Sequence, residues 1–527
     1  MKLNLNGIAE RTEWEKAGIA LPAFDITAVR EQTRNLPEWI HFGAGNIFRG
    51  FIGSIAQRLL NAGEMNTGII AAESFDFDII DKIYEPYDNL TLNVLMGKSS
   101  DLHAEVLAGI AESVKATDFD RLREIAKAPS LKMISFTITE KGYATTDVNG
   151  NLLTVIESDI KNGTDAPKHT MSIIASMLYA RYLSCEAPIA VVSMDNCSHN
   201  GEKLQSGVMC VVNGWLDNGS VDKGFADYMK EKVTFPWSMI DKITPRPDDT
   251  VKSRLEEMGV EDMSPVITGK ATYIAPFVNA EIPEYLVIED DFPNGRPPLE
   301  KAGVYMTTRE TVNKAETMKV TTCLNPLHTA LAVFGCLLGY RTIWEEMKDE
   351  DLVKLVRAVR AEGMKVVVNP CIIDPEKFAD EVINDRLPNP YIPDAPQRIA
   401  TDTSQKIPVR YGETIKAYMR SDKLNASNLA AIPLVIAGWL RYALAVDDEG
   451  NAFTPSPDPS LGDVQSALSG VHLGETHINS EILKPILSNA NLFGVDLYEA
   501  GLGEKVENLF SSMLAGNCAV RNALKNL

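Results

Sequence analysis

The sequence predicts an α/β domain followed by a mostly α-helical domain. In the first part of the chain, short apolar runs alternate with segments of helical period, which is typical of a parallel α/β sheet. A stretch rich in Pro and Gly, "FPNGRPPLEKAG" at 292–303, interrupts this pattern. Beyond it the helical period continues without a series of strands. We therefore predict an α/β domain over residues 1–297 and a helical domain over residues 298–527.

The predicted strands of the first domain are short runs of buried, often β-branched residues. They are 39–42, 67–72, 90–95, 104–110, 131–138 and 189–193. The third and fourth of these runs have the pattern of an inserted hairpin. A helix is predicted over 46–61, where apolar residues recur every four positions, and Gly63 is placed to end it.

The second domain is predicted to be helical because its apolar residues recur with helical spacing. The predicted helical segments are 326–347, 350–363, 410–421, 426–446, 477–488 and 494–515. The most apolar run, Leu331–Tyr340, is too short to span a bilayer, so we expect a buried helix there.

Composition and charge are those of a globular protein, are compatible with an enzyme and argue against several kinds of partner. The chain has 527 residues, of which 45% are hydrophobic, and its net charge is −21. Strong acidity argues against nucleic acid and anionic membranes as partners, since both attract basic surfaces. We expect a monomer or a small homo-oligomer that acts on a small molecule.

The cysteines and histidines predict neither disulfides nor a metal site. The seven cysteines are odd in number and show no C-x-x-C spacing, which favours a reducing, cytoplasmic compartment. The seven histidines are scattered along the chain, so we expect a metal-independent protein. The N-terminal segment shows no apolar stretch of signal-peptide type, and we expect none.

The stretch "WIHFGAGNIFRGF" has the order strand, glycine turn, helix that suits a dinucleotide. Glycines allow close backbone approach to a pyrophosphate, and a helix N-terminus offers free N–H groups. The third fingerprint position is Phe48, so Gly50 and Gly53 would have to provide close packing. An ordinary β-to-α turn is the alternative. The predicted cofactor-binding residues are Gly43, Ala44, Gly45, Asn46, Ile47 and Phe48.

An acidic residue at the end of the second predicted strand favours NAD over NADP. Glu73 in "IIAAESFD" can accept hydrogen bonds from ribose hydroxyls and would repel a 2′-phosphate. Asp76 is the alternative for this role, and a solvated surface carboxylate is the other interpretation.

The stretch "ETMKVTTCLNPLH" carries the most informative polar residues of the second domain. Asn325 and His328 are three residues apart and share a helix face. Asn325 and Pro326 have the pattern of an N-cap and a first helical residue. Six residues of unbroken helix would turn Lys319 away from Asn325, so a break or bulge between them is part of the hypothesis.

These residue types suit proton transfer at a hydroxyl or carbonyl group. A desolvated lysine has a lowered pKa and can exchange a proton near neutral pH. An asparagine amide can stabilise a developing oxyanion, and histidine can orient the substrate. Glu316 could relay the proton outward. The alternatives are a surface Lys319, an Asn325 that only caps a helix, and a His328 satisfied in the core.

Seven stretches in this order give the chain its resemblance to the mannitol dehydrogenase family of polyol-specific long-chain dehydrogenases. The similarity runs from about residue 37 to residue 520. The stretches are "HFGAGNIFRGF", "TITEKGY", "VVSMDN", "FPWSMIDKITP", "VIEDDFPNGRP", "KVTTCLNPLH" and "RLPNPYIPDAPQRIATDTSQKIPVR". Residues 1–36 look like an N-terminal extension of the usual pattern.

The resemblance implies a Rossmann-type N-terminal domain, a helical C-terminal domain and a metal-free active site between them. It implies hydride transfer between NAD and a secondary carbinol carbon. Lys319 matches the family's catalytic acid/base and Glu316 its proton relay. The other carried-over residues are Asn196, Asn325 and His328 in the catalytic site, and Asp241, Arg398 and Lys406 in contact with substrate.

Two departures from the family pattern concern the local backbone. The family's usual spacing is Lys-x4-Asn, whereas this sequence has Lys-x5-Asn between Lys319 and Asn325. Counted back from Asn325, Val320 would take the lysine's place, but Glu316 keeps its distance from Lys319. Leu387 stands where the family usually has an aromatic residue.

The substrate is expected to be a sugar acid. Four cationic side chains, Arg386, Arg398, Lys406 and Arg410, exceed what a neutral polyol requires, and arginine pairs well with carboxylates. Within the family that the chain resembles, the long N-terminal pattern implies interconversion of D-mannonate and D-fructuronate. Mannitol with fructose, or tagaturonate, remain alternatives, and a non-catalytic dinucleotide-binding sensor is a remote one.

Overall fold

The computed structural model describes residues 1–97, 102–392, 394–475 and 478–527. These residues form two compact units, Met1–Asn313 and Lys314–Leu527. The division falls inside a helix, Arg309–Met318, rather than in the Pro- and Gly-rich stretch. The domain boundary at residues 297 and 298 stays a prediction.

All strands of the described residues belong to the first unit. They are β1 (Ile19–Ala20), β2 (Trp39–Phe42), β3 (Ile69–Glu73), β4 (Thr91–Met96), β5 (Leu102–Leu107), β6 (Ile110–Lys115), β7 (Met133–Phe136), β8 (Ile189–Ser193), β9 (Val233–Thr234), β10 (Ser238–Asp241), β11 (Val266–Ile267), β12 (Tyr273–Ile274), β13 (Phe277–Glu281), β14 (Tyr285–Glu289) and β15 (Tyr305–Thr307).

The main sheet has six parallel strands in the order β6-β3-β2-β7-β8-β9. This is the order of a doubly wound dinucleotide-binding sheet, in which the first strand lies at the centre and the chain winds outward on both sides. Residues of β2 alternate between two core clusters: Ile40 and Phe42 pack on one face of the sheet and Trp39 on the other. The α/β architecture predicted for this part of the chain is confirmed.

The predicted inserted hairpin is confirmed by β4 and β5, which pair antiparallel. They form a four-stranded sheet in the order β1-β5-β4-β13. The strand β1 comes from residues 1–36, so this N-terminal segment adds a strand to the sheet. Trp14 of the same segment is fully buried, and the Leu5 N–H donates to Asp88 Oδ2 at 2.9 Å.

The Pro- and Gly-rich stretch does not end the first unit. After it, β15 pairs in parallel with β14, which in turn pairs with β10. Its residues Leu299–Ala302 form a short 3₁₀ helix. The stretch that interrupts the sequence pattern is therefore not a flexible linker, because the chain on both sides of it belongs to one sheet. A further two-stranded ribbon joins β11 and β12.

The first unit has helices in its N-terminal segment and helices that pack on both faces of the main sheet. They are α1 (Leu5–Ala9), α2 (Arg11–Lys16), α3 (Ile26–Asn35), α4 (Gly53–Asn61), α5 (Phe119–Lys127), α6 (Thr154–Asn162), α7 (Thr170–Ser184), α8 (Asn200–Asp217), α9 (Lys223–Lys232) and α10 (Asp249–Glu257), followed by α11 (Arg309–Met318), in which the unit boundary falls.

The described residues of the second unit form helices and no strand. These helices are α12 (Asn325–Leu337), α13 (Ile343–Glu346), α14 (Glu350–Met364), α15 (Pro375–Glu381), α16 (Pro396–Ala400), α17 (Thr403–Ile407), α18 (Glu413–Arg420), α19 (Ala431–Ala443), α20 (Leu461–Ala467), α21 (Ser480–Leu487), α22 (Ala490–Phe493), α23 (Gly503–Met513) and α24 (Ala519–Lys525). The predicted helical character is confirmed.

Several predicted helix boundaries are wrong. The segment 326–347 is two helices, because Gly339 with φ +77° breaks it after Leu337. The segment 494–515 is helical only over α23, after glycines at 494 and 501 in the left-handed region. Residue 477, with which another predicted helix begins, lies outside the described residues.

The longest apolar helical run of the described residues, Arg309–Leu337, extends further than the sequence suggested. By length and composition alone its 29 residues could cross a membrane. However, 78% of its most apolar window is buried inside the protein, which is the behaviour of a core helix.

Candidate functional site

A cavity of about 690 Å³ opens in the first unit. Gly43, which follows β2, and Glu73, which ends β3, line it together with Gly45. A doubly wound sheet binds its ligands at the carboxyl ends of its strands, where the strand order reverses. The volume lies within the range of sites that hold cofactors and other small molecules.

The two glycines of the loop have different physical roles. Gly43 has φ +102°, and a Cβ there would stand 2.2 Å from the Thr137 carbonyl oxygen. Gly45 has nothing within 4 Å of the place where a Cβ would stand, and it lines the cavity. Gly43 is thus required by the protein's own backbone, whereas Gly45 leaves open space for a ligand.

The helix after the loop begins at residue 46 and passes into a π-helical turn, Phe48–Ile52. The Phe48 side chain is fully buried, and its ring stacks on His41 with centroids 4.1 Å apart. Only the backbone of Phe48 could therefore reach a cofactor. Gly50 provides close approach, because a Cβ there would meet Val278 at 2.7 Å. Asn46 accepts a long hydrogen bond from Arg49 at 3.5 Å, and Ile47 is half-buried.

Glu73 holds the glycine loop through backbone hydrogen bonds. Its Oε2 accepts from the Ala44 N–H at 2.9 Å, and its Oε1 accepts from the N–H groups of Phe75 and Asp76 at 2.8 and 3.1 Å. A carboxylate offers about four acceptor positions, so one remains for a ligand hydroxyl. The other candidate, Asp76, is 3% exposed and accepts from the hydroxyls of Thr268 and Thr272.

Two further predicted residues lie in the first unit. Asn196 is exposed and follows β8. Its neighbour Asp195 accepts from the N–H groups of Ile138 and Thr139, both at 2.9 Å, which fixes the segment after β7. Asp241 is buried and ends β10.

In the second unit, Lys319 begins a π-helical turn, Lys319–Cys323, and its side chain is 1% exposed. The Leu324 N–H donates to the Lys319 carbonyl at 3.2 Å, the five-residue bond of a π turn. A π turn holds one more residue than an α turn, so it accommodates the extra residue of the Lys-x5-Asn spacing. The bulge that the hypothesis required is present. Glu316 is half-buried in α11.

Asn325 is the first residue of α12, and Leu324 is its N-cap. The prediction that Asn325 itself is the cap is wrong by one residue, because the π turn continues to Cys323. The start of α12 is held from outside the helix. Arg410 donates to the Asn325 carbonyl at 3.3 Å and to the Thr329 hydroxyl, and the Tyr411 hydroxyl donates to the Pro326 carbonyl at 2.6 Å.

His328 lies against a carboxylate that the sequence did not single out. Its Nε2 is 3.2 Å from Asp394 Oδ2. The N–H does not point straight at this oxygen, which has no hydrogen bond of good geometry among the described residues. The other oxygen, Oδ1, accepts a hydrogen bond from Nε of Arg398 at 2.7 Å. A terminal nitrogen of the same guanidinium lies 2.5 Å from it. Asp394 therefore contacts two of the predicted site residues at once.

Burial sets the charge state of these groups. It lowers the pKa of His328, and the Asp394 carboxylate opposes this shift only in part. Burial raises the pKa of Asp394, but His328 and Arg398 outweigh it, so that this pKa lies below its usual value. A neutral imidazole beside a charged carboxylate is the result.

Lys406 is held by the chain itself: its Nζ donates to the carbonyls of Ile399, at 2.8 Å, and Thr401. Burial, followed by the charge of Arg410, lowers the pKa of Lys406 to about 8. Burial likewise lowers the pKa of Arg410 to about 10. The groups that hold Arg410, a carbonyl and a hydroxyl, are uncharged. Arg398 has a largely exposed side chain, at 71%.

Sequence reasoning missed two buried carboxyl groups of the second unit, Asp394 and Glu346, the last residue of α13. Asp394 stands within the quoted stretch "RLPNPYIPDAPQRIATDTSQKIPVR", four residues before Arg398, and an i, i+4 acid–arginine pair was the available signal. Glu346 gave no signal, because an acidic residue near a helix end normally faces solvent.

No group of three or more His, Cys, Asp and Glu side chains in the described part of the chain is arranged to hold a metal ion.

Two family models match the chain over most of its length. The mannitol dehydrogenase Rossmann domain matches residues 37–301. The mannitol dehydrogenase C-terminal domain matches residues 311–514. The first match begins where the N-terminal extension was expected to end.

A curated relative and two solved structures are similar over nearly the whole chain. D-mannonate oxidoreductase of Thermotoga maritima is 52% identical and covers 100% of this chain and 99% of its own. A substrate-free D-sorbitol dehydrogenase has a TM-score of 0.81 at 25% identity, covering 96% of this chain and 98% of its own. Pseudomonas fluorescens mannitol 2-dehydrogenase, in a ternary complex with NAD and D-mannitol, has a TM-score of 0.73 at 25% identity. The match covers 100% of this chain and 99% of that one.

Proposed function

The chain belongs to the mannitol dehydrogenase family, and from this premise we propose that it interconverts D-mannonate and D-fructuronate with NAD. The reaction is a metal-independent oxidoreduction between a secondary alcohol and its ketone. The observation that carries the proposal is 52% identity over the full chain to a D-mannonate oxidoreductase.

The residues of the first unit fit a dinucleotide. The open space at Gly45, the helix that begins at residue 46 and the adjoining cavity suit a pyrophosphate and its ribose. When bound, NADH supplies the hydride that reduces the ketone carbon. Glu73 keeps the loop in shape and has one acceptor position for a ribose hydroxyl, which favours NAD over NADP.

Lys319 is proposed to exchange the proton at the substrate oxygen. In the reduction, its ammonium group gives a proton to the carbonyl oxygen, and in the oxidation its neutral amine accepts the hydroxyl proton. Burial of Lys319 supports this role, because desolvation favours the neutral form of an amine. The amides of Asn196 and Asn325 donate hydrogen bonds to the oxygen, His328 orients it, and Glu316 passes the proton to solvent.

A cationic group is proposed to recognise the carboxylate of the sugar acid. Among the described residues, Arg410 donates to a carbonyl and a hydroxyl, both uncharged, so its charge suits a carboxylate of the substrate. Arg398, Lys406 and Asp241 are proposed to contact the hydroxyl groups. Arg398 is already paired with Asp394, which suits it for a hydroxyl better than for a second anion.

A panel of ketone substrates tests the proposal. We expect NADH oxidation with fructuronate at a kcat/KM at least about tenfold above that for fructose, which lacks the carboxylate, since a charge-assisted hydrogen bond contributes about 1.5–3 kcal/mol. Tagaturonate carries the same carboxylate, so a higher efficiency with it would assign the other sugar acid. No NADH oxidation with any of the three would contradict the reaction class. Highest efficiency with fructose would favour the second candidate, mannitol oxidation, which the similarity to the mannitol 2-dehydrogenase complex supports.

We propose a cytoplasmic location and a monomer or small homo-oligomer. All seven cysteines are free thiols, which suits a reducing compartment. Size-exclusion chromatography with light scattering would give the oligomeric state.

A further inference from the structure

Asp394 is shared between two residues that the proposed function places at the substrate. Its Oδ2 lies 3.2 Å from Nε2 of His328, and its Oδ1 receives two nitrogens of Arg398 at 2.7 and 2.5 Å. Only 8% of Asp394 is exposed. Its backbone is also fixed, because the Ile343 N–H donates to its carbonyl at 2.9 Å. A buried carboxylate with a fixed backbone holds both side chains in one arrangement.

The contact with Asp394 decides which nitrogen of His328 carries the proton. The contact lacks the geometry of a good hydrogen bond, but an unprotonated Nε2 would hold its lone pair against a carboxylate oxygen only 3.2 Å away. A charged carboxylate cannot donate a hydrogen, so Nε2 carries it. In the neutral imidazole Nδ1 then has a free lone pair and accepts a hydrogen bond. A substrate hydroxyl is a donor that such a nitrogen can orient.

Glu346 explains why Asp394, rather than its neighbour, carries the negative charge. Glu346 is fully buried, and neither of its carboxyl oxygens has a hydrogen-bond partner among the described residues. Burial, followed by the charge of Asp394, raises the pKa of Glu346 to about 10. Its carboxyl group packs so closely on α12 that a Cβ at Gly335 would stand 1.8 Å from Oε1. The negative charge of this pair of carboxyl groups therefore lies on Asp394, which contacts His328 and Arg398.

We propose that Asp394 is a positioning residue for the reaction, which holds His328 in the Nε2–H tautomer and Arg398 in a fixed orientation. The inference rests on the proposed function, because it assumes that His328 and Arg398 meet the substrate. Asp394 itself does not touch the reacting atoms. Its effect on catalysis passes through the two side chains that it holds.

The test is a double-mutant cycle with Asp394→Asn and His328→Ala. The asparagine amide turns its oxygen towards Arg398 and its NH₂ group towards Nε2, which forces the proton onto Nδ1. We expect kcat/KM for the ketone substrate to fall about tenfold, the lower end of the loss typical of a charged hydrogen-bond partner, because the contact with His328 is poorly aligned. In the His328→Ala background the same substitution should cost less than about threefold. An equal loss in both backgrounds would show that the effect does not pass through His328 and would overturn the assignment of Asp394 as its positioning residue.

NADH binding and a charge control separate this result from a general loss of structure. We expect Asp394→Asn to keep the NADH dissociation constant within about twofold, since its effect is confined to substrate. Asp374→Asn removes the same charge from an exposed N-cap of α15, where asparagine caps equally well, and should leave kcat/KM unchanged. If the wild-type enzyme reduces none of the ketones, the proposed function fails before the cycle is measured.

A measurement on the wild-type chain remains decisive even where Asp394→Asn does not fold. Selective ¹⁵N labelling of histidine, with His328 assigned from the spectrum of His328→Gln, reports the protonation of each ring nitrogen. We expect a protonated Nε2 and an unprotonated Nδ1 at pH 7. A protonated Nδ1 with an unprotonated Nε2 would overturn the proposal.

Discussion

At the scale of single residues, Glu73 shows how one carboxylate can serve both structure and specificity. The sequence placed an acidic residue at the end of the second strand, and the structure confirms that position. The three backbone N–H groups from which Glu73 accepts hydrogen bonds could not be predicted. These hydrogen bonds depend on the backbone path of the loop after β2 and of the turn after β3. The pattern of apolar and polar residues in the sequence does not determine that path.

Glu73→Gln should weaken cofactor binding. The glutamine NH₂ group would face either the Ala44 N–H or those of Phe75 and Asp76, and two donors repel each other. We expect the NADH dissociation constant to rise about tenfold, and that of NADPH to rise less, in a fluorescence titration. Glu124→Gln, at an exposed site, is the charge control. An unchanged NADH affinity would remove Glu73 from the cofactor site.

Compared with the wild type, the Glu346→Gln variant should gain relative stability as the pH rises. The pKa of Glu346 is about 10 in the folded chain, against an ordinary value of 4.5. The folded state therefore binds a proton that the unfolded state releases. The stability that this proton contributes is complete below pH 4.5 and is lost as the pH rises towards 10.

The measurement is urea denaturation of both proteins at pH 5 and pH 8. Glutamine is uncharged in the folded and in the unfolded chain, so the variant does not lose stability at this position as the pH rises. We expect the difference in free energy of unfolding to shift in favour of the variant by about 4 kcal/mol between the two pH values, at about 1.4 kcal/mol for each pH unit. Parallel pH profiles would show that Glu346 is charged in the folded protein.

At the scale of secondary-structure elements, the segment between Lys319 and Asn325 shows what spacing can and cannot predict. The 240° offset along an ideal helix indicated a bulge, because Lys319 and Asn325 would otherwise face apart. The form of the bulge could not be predicted, since a π turn and a break in the helix leave the same sequence pattern. The same ambiguity hid the π turns at Phe48–Ile52 and Pro408–Gly412.

The two glycines of the cofactor loop should respond differently to alanine. Gly43→Ala places a methyl group 2.2 Å from the Thr137 carbonyl in a left-handed conformation, so we expect a loss of about 2 kcal/mol or more in stability. Gly45→Ala meets nothing within 4 Å, so its unfolding midpoint should stay unchanged. Its methyl group would occupy space proposed for the cofactor, and NADH affinity should fall at least about tenfold. Unchanged affinity in Gly45→Ala would place the dinucleotide elsewhere.

At the scale of the whole molecule, the order of elements was the most predictable feature. Strands buried on both faces are continuous apolar runs, and the helical period of the second unit is visible in the sequence. The unit boundary was harder to locate. Pro and Gly mark turns whether or not a domain ends there, and β15 after the stretch still pairs with β14.

The candidate site could be predicted where residue chemistry is unusual for its position. Lys319 beside a long apolar helix attracted attention because a buried amine is costly unless it is used. Asp394 and Glu346 did not, because their burial is decided by the packing of α12 and α13 against the segment before α16. The i, i+4 spacing of Asp394 and Arg398 indicates an ion pair, but not that the carboxylate is buried, because contacts between elements distant in sequence leave no local pattern.

The central claim is that Lys319 exchanges the proton at the substrate oxygen while the glycine loop binds the cofactor independently. The most direct test compares wild type with Lys319→Ala in steady-state ketone reduction and in NADH titration. We expect kcat to fall at least about 100-fold, the usual contribution of a general acid, with the NADH dissociation constant within about twofold. A kcat within tenfold of wild type would show that another group transfers the proton and would contradict the claim.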